Sequence, residues 1–280
     1  MLNFSGKKYI IAMSYASLGF AVGIIVAPFI GSYLEYYFNW KASFWLYSIF
    51  GTILCLFVIF FIKEENPSED KRSKQLNSFL KSYVTMIKHP YFILSTLILS
   101  LIVAQNMLFP TIGPFIFKFI LLDSALSYGR GALVLGLGYL FGTLANRILL
   151  KYIDSKVLII IGFFVFFVAI ILQLYFVTFS SISFMKLIAP IALMSCTLGF
   201  IYSNVVSVGL SFFPNNSGMA AALQGFIMIA IGSTLNLVVG HIVVSYFFIV
   251  ALIYAVLFFL QLCLITTLIL TLVKRSVFRL

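Results

Sequence analysis

Seven carboxylates, two histidines and three cysteines are spread over 280 residues, and acid–base, nucleophilic or metal chemistry would have to be built from these groups. Glu64, Glu65, Glu69 and Asp70 crowd into one polar stretch, while Glu35, Asp123 and Asp154 stand at the ends of apolar runs. His89 and His241 also fall at such edges, and Cys55, Cys196 and Cys263 lie inside apolar runs. No pair of these residues has a catalytic spacing, and no His/Cys group has the spacing of metal ligands. A glycine-rich phosphate loop ending in Gly-Lys-Ser/Thr is absent, so no ATPase is built in. Enzyme activity, a cofactor, a bound metal and a disulfide framework are therefore not expected.

Uncharged groups with hydrogen-bonding capacity lie deeper. Gln105 and Asn106 precede Pro110 in one apolar run, and Tyr202, Ser203 and Asn204 share another. Gln224 and Asn236 occupy a third, with Gln173 and Gln261 in two more. An amide turned toward lipid would leave donors and acceptors unpaired at ~1–3 kcal/mol. These side chains are expected to face a neighbouring helix or a wet cavity, and interhelical glue and substrate contact are both open to each of them. Proton relays in membranes use Asp, Glu or His at depth, and none stands in the middle of any run.

The elements that must position these groups follow from composition. The chain is 63% hydrophobic and 9% charged, against roughly half and a quarter in soluble domains. It reads as an all-α polytopic membrane protein. A bilayer core takes ~20 apolar residues per helix, which predicts eight transmembrane helices at 9–34, 44–62, 91–117, 128–150, 157–178, 185–212, 218–240 and 245–273. The start of the chain lacks the short apolar region and small-residue cleavage site of a signal peptide, so the first span reads as a membrane helix. The net charge of +11 is not gathered into one patch, so it reads as a topology signal, and no nucleic acid partner is expected. Of the 18 Lys and Arg, Lys41, Lys118, Arg130 and Lys186 stand at one set of span ends and the other fourteen at the opposite set. Positive-inside places the larger set, with both termini, in the cytoplasm. Residues 63–90 form the one long polar connection; Phe79, Tyr83, Met86 and Ile87 fall on one helical face there. That pattern predicts a short amphipathic helix at the interface, with a solvated linker as the alternative.

The first span carries Gly19, Gly23, Ala27 and Gly31 at every fourth position, with Pro28 among them. Such a ladder stacks on one helix face and lets a second backbone approach closely, while the proline loosens the helix. Together with Trp40 and Phe44, this pattern resembles the antiporter motif in the fifth helix of drug/proton antiporters of the major facilitator superfamily. Those proteins carry Gly-Pro where this chain has Ala27-Pro28, and a second glycine where Ser32 follows Gly31. Gly113-Pro114-Phe115 resembles the outer end of the seventh helix, and Gly142, Leu144, Asn146 and Arg147 the basic loop motif after the eighth. Ser203-Asn204, then Gly218, Ala220, Ala222, Gln224, Gly225 and Gly232, resemble the tenth and eleventh helices. Within the superfamily the later segments are most similar to Bcr/CflA-type efflux proteins.

The resemblance implies that the eight spans match the fifth to twelfth helices of such a transporter. Residues 1–62 would be two helices of the N-terminal half, 63–90 the central cytoplasmic loop, and 91–280 the C-terminal six-helix bundle. Four helices of the resembled fold would then lie outside this chain, as expected of a split gene product, an internal start or a truncated remnant. In the resembled fold the seventh, eighth, tenth and eleventh helices line the cavity. This favours Gln105, Asn106, Tyr202, Asn204 and Gln224 as substrate-binding residues over Gln173 and Gln261. The ladder of the first span is expected to meet the fourth through Gly138 and Gly142. The implied function is proton-coupled efflux of small amphipathic drugs across a bacterial inner membrane. The chain alone is not expected to be competent; its partners would be the lipid bilayer, a small-molecule substrate and a separately encoded N-terminal part or a second copy. The alternative is a non-transporting membrane remnant or an interaction protein.

The orientation is checked with single cysteines at Ser73 and Asn39 and an impermeant thiol reagent on intact cells. Labelling of Asn39→Cys without Ser73→Cys is expected; the reverse pattern inverts the topology.

Overall fold

The computed structural model describes residues 23, 26–61, 81–179, 183–213, 216–241 and 247–277. Among them, seven helices are long and apolar enough to cross a membrane. A short helix α1 (26–37) precedes α2 (Lys41–Phe61), and α3 (81–87) precedes α4 (Pro90–Phe115). α5 (Ala125–Leu149), α6 (Ser155–Phe179), α7 (Phe184–Leu210), α8 (Ser217–Gly240) and α9 (Phe247–Val277) follow. The predicted span 9–34 lies mostly outside the described residues, with only its end seen in α1.

α4 is the most buried of the described spans and packs on α7, α8 and α9. Its Ile98, Leu99, Ile102 and Leu108 join Met194, Leu198, Tyr254 and Phe258 in one core. Pro90 opens the helix at its first turn, where a missing N–H costs nothing. Pro110 and Pro114 near the other end each remove a backbone donor. The ladder there widens into a π-helical turn, Ile116–Ile120, which Leu121 N closes on Ile116 O at 3.0 Å. Leu122 then takes a positive φ of 52° and ends the element. The next helix starts at once, because Ser124 caps α5 by accepting Ser127 N at 3.3 Å. Asp123 Oδ1 accepts Ser124 N at 2.7 Å and the Ser127 hydroxyl at 2.8 Å. These bonds, the backbone one first, hold the Asp123 carboxyl below its ordinary range, and Arg130 adds a smaller pull.

α5 and α7 touch backbone to backbone. A Cβ on Gly138 would stand 2.8 Å from Ala192 O, and one on Gly142 would collide with Cys196 O. From the other side, Gly199 of α7 faces Tyr139 O of α5. The expected partnership of Gly138 and Gly142 with the first span is thereby corrected. Their faces are filled by α7, which supplies small residues of its own at matching intervals. α1 does meet α5, but at Gly129, against Ser32 and Phe29. Ser32 is buried, its hydroxyl bonded to Phe29 O at 2.9 Å. Among the described residues, nothing lies within 4 Å of a Cβ on Gly23 or Gly31; Gly19 lies outside the described residues.

α2 buries no residue and is apolar on every side, as a helix facing lipid or another membrane helix must be. α3 is helical as the 63–90 pattern predicts for its second half. Its Met86 packs with Phe92 of α4 and Ala220 of α8, with Tyr83 alongside. Ile87 of the same predicted face stays exposed, and Phe79 lies outside the described residues.

Overpacking a closed contact costs ~1–3 kcal/mol or more. Gly142→Leu is expected to abolish most of the monodisperse yield in detergent, whereas Gly51→Leu on α2, where a Cβ meets nothing, leaves it unchanged. Equal yields would show that the α5–α7 contact does not hold the bundle.

Candidate functional site

The polar side chains sort into two groups by what they touch. Where α5 ends, α6 begins and α7 ends, Asn204 is buried at 2% exposure and fully engaged. Its Nδ2 donates to Asn146 Oδ1 at 2.7 Å and to Phe200 O at 3.0 Å, and its Oδ1 accepts the Ser155 hydroxyl at 3.1 Å. Asn146 Nδ2 in turn donates to Ser203 Oγ at 2.8 Å. Three helices are tied by one chain of bonds. Asn204 thus acts as glue between helices in this structure, with no N–H left over for a ligand.

A similar tie joins α4 to α8. Asn236 Nδ2 donates to Ala104 O and to Gly232 O, both at 3.0 Å, and Thr111 Oγ1 donates to Asn236 Oδ1 at 3.3 Å. Gly232 permits it, since a Cβ there would stand 2.8 Å from Val103 Cγ1. Nearer the start of both helices, Gln224 is buried at 3% exposure beside Gly209 and Ser95. Its Nε2 has no hydrogen-bond partner, and Ser95 Oγ donates to Phe92 O.

Gln105 lies in the core at 1% exposure with neither amide atom bonded. Asn106, next along α4, is half-buried and donates to Ile102 O at 3.1 Å. It shares an accessible face with Met107 and Pro110. Tyr202 is also half-buried, its hydroxyl directed at Met228 Sδ of α8 at 3.8 Å. Of the five residues singled out in the sequence, Asn106 and Tyr202 therefore keep accessible surface, while Gln105, Asn204 and Gln224 sit inside helix contacts. No hydrogen bond links any two of the five. Gln173 and Gln261, ranked lower, are as buried as Gln105 and also carry unbonded amide atoms.

Sequence reasoning missed the linking roles of Asn146 and Ser155. Both stand near span ends, where a polar side chain reads as solvated; the Asn146-to-Ser203 pairing has no local signal. A cleft of about 390 Å³ between α6 and α9 was also missed, lined by Ile159, Phe163, Phe167, Phe258 and Leu262. Phe166 and Phe258 stack beside it with centroids 5.2 Å apart.

Long helices with apolar surfaces, tied internally by amides and glycines, define a multi-pass membrane protein. The chain belongs to the Major Facilitator Superfamily, whose family model matches residues 2–237. That superfamily is one of membrane transporters. An 85-residue stretch is 31% identical to the bicyclomycin resistance protein homolog of Haemophilus influenzae. The match covers 30% of this chain and 21% of that protein, so it spans about a fifth of the relative's length.

A double-mutant cycle on Asn146→Ala and Asn204→Ala measures the tie between α5 and α7. Amide bonds between membrane helices couple by ~0.6 kcal/mol on average and up to ~1.7 kcal/mol. A coupling in that range is expected from denaturant unfolding in micelles, and zero coupling would show that the bond carries no stability.

Proposed function

We propose that this chain contributes to proton-coupled efflux of small amphipathic compounds across a bacterial inner membrane, its basic end facing the cytoplasm. The observation that carries the reading is superfamily membership, with residues 2–237 matched. The similarity to a bicyclomycin resistance protein homolog supports the efflux sense. α1 and α2 would stand as the fifth and sixth helices and α4 to α9 as the seventh to twelfth, with α3 in the central loop. Substrate would meet Asn106, which shares its accessible face with Met107 and Pro110, and Tyr202, whose hydroxyl is directed at Met228. Polar groups few in number on an apolar wall suit ligands that are mostly apolar with one polar end. The helical bundle would rock as a unit about this face.

Proton coupling needs a group that titrates at depth. The carboxylates of these 280 residues all lie at span ends or in the polar connection. The proton-exchanging group would then lie outside these 280 residues, which alone would bind without pumping. Among the described residues α2 buries none, and that surface suits the second reading, a membrane interaction protein that transports nothing.

Proteoliposomes holding residues 1–280 separate these readings. A fluorescent amphipathic cation is expected to bind, about tenfold more weakly (~1.4 kcal/mol) after Asn106→Leu or Tyr202→Leu, with no gradient-driven transport. Binding indifferent to both substitutions removes the site, and gradient-driven transport by these 280 residues alone removes the need for a group outside them.

A further inference from the structure

A second cavity, of about 290 Å³, lies at the basic end of the bundle, away from Asn106 and Tyr202. Lys81, Ser82 and Thr85 of α3 and Asn216 before α8 give it a polar rim, and Met86 and Phe213 give it an apolar floor. The floor is held firmly. Met86 is packed against Phe92 and Ala220, and the Phe213 ring meets Phe92 edge-on with centroids 5.6 Å apart. Thr85 Oγ1 donates to Lys81 O at 2.8 Å, and the Lys81 ammonium and the Asn216 amide stand on the rim with the Ser82 hydroxyl. No carboxylate lines the cavity among the described residues. Lys88 follows in the turn just past the end of α3, adding a second positive charge at this end of the bundle.

A cation and amide over an apolar floor, at the end of a membrane bundle, match the boundary between a lipid headgroup and its acyl chains. We propose that this cavity binds the phosphate headgroup of an anionic phospholipid. Lys81 pairs with the phosphate, Asn216 donates to its oxygens, and the first carbons of the lipid lie on Met86 and Phe213. The apolar floor favours a lipid over a soluble phosphate ester, which would gain nothing from it. The assignment stands apart from the transport reading, since it requires only residence in a membrane.

The purified chain is mixed with equal amounts of phosphatidylglycerol and phosphatidylcholine in mild detergent, and retained lipid is counted by native mass spectrometry. Wild type is expected to retain phosphatidylglycerol preferentially. Lys81→Gln should lose about fivefold of that preference, the effect of one lysine at an anionic surface. Lys81→Arg should keep it, as should Lys118→Gln at the opposite end. Lys81 is exposed, so the fold tolerates its replacement, and Asn216→Ala gives an independent loss at the rim. An unchanged lipid ratio in Lys81→Gln, or equal retention of the two lipids by wild type, overturns the proposal. Displacement of phosphatidylglycerol by micromolar free glycerol phosphate overturns it in favour of a soluble ester.

Discussion

The close approach of α5 and α7 is the contact on which the bundle depends. Lipid tails are as apolar as leucine, so burying leucine between two helices in a membrane gains little. What holds helices together is fit and hydrogen bonding, and both are concentrated here. Gly138, Gly142 and Gly199 remove the side chains that would keep the two backbones apart. That closeness brings Asn146 within reach of Ser203 and Asn204. α6 is then hung on α7 twice, through Ser155 and through Gly162, whose bare face receives Ile201. Loss of the glycine contact would therefore free α5 and break the bonds of Asn146 to Ser203 and Asn204.

Satisfaction of buried polar groups is uneven, and the unevenness has a pattern. The asparagines, Asn146, Asn204 and Asn236, are bonded across helix boundaries. The glutamines at 105, 173, 224 and 261 each keep at least one buried amide atom without a partner. A shorter side chain is easier to fix by a neighbouring backbone, and two of the three asparagines use an i−4 carbonyl as well as a distant group. The contacts of α4 and α8 include two of the unsatisfied amides, Gln105 and Gln224. An unpaired buried amide raises the energy of the arrangement that holds it, so these helices, for all that Asn236 ties them, have more to gain from a second packing than the Asn146–Asn204 end does.

Much of the fold was legible because spans announce themselves by length and apolarity, and six predicted spans from 91 onward coincide with α4 to α9 within a few residues. Partners were not legible. The repeat at Gly19, Gly23, Ala27 and Gly31 and the glycines at 138 and 142 each say that a backbone comes close, but small residues carry no mark of whose backbone it is. α7 won Gly138 and Gly142 because Ala192, Cys196 and Gly199 fall at complementary heights, a match of geometry across more than fifty residues of chain. Ser32, a departure from the resembled motif, turned out to be the α1 side chain that touches α5. For the candidate site, position along a helix was readable from position within a span. Direction around the helix was not, since Gln105 and Asn106 differ by one residue and yet only Asn106 reaches accessible surface.

The bond from Asn236 to Ala104 spans 132 residues of sequence. A ribosome adding ~5–20 residues per second needs roughly 7–26 s to make the intervening chain. Throughout that interval α4 is already synthesised while α8, the helix that covers its Ala104 side, does not yet exist. Any α4 that entered the bilayer early would carry the Gln105 amide there before its core has assembled. Assembly order is thus constrained by topology: α5, α6 and α7 can lock together from local contacts, while α4 has to be sheltered by the insertion machinery or by α7 until the last two helices arrive.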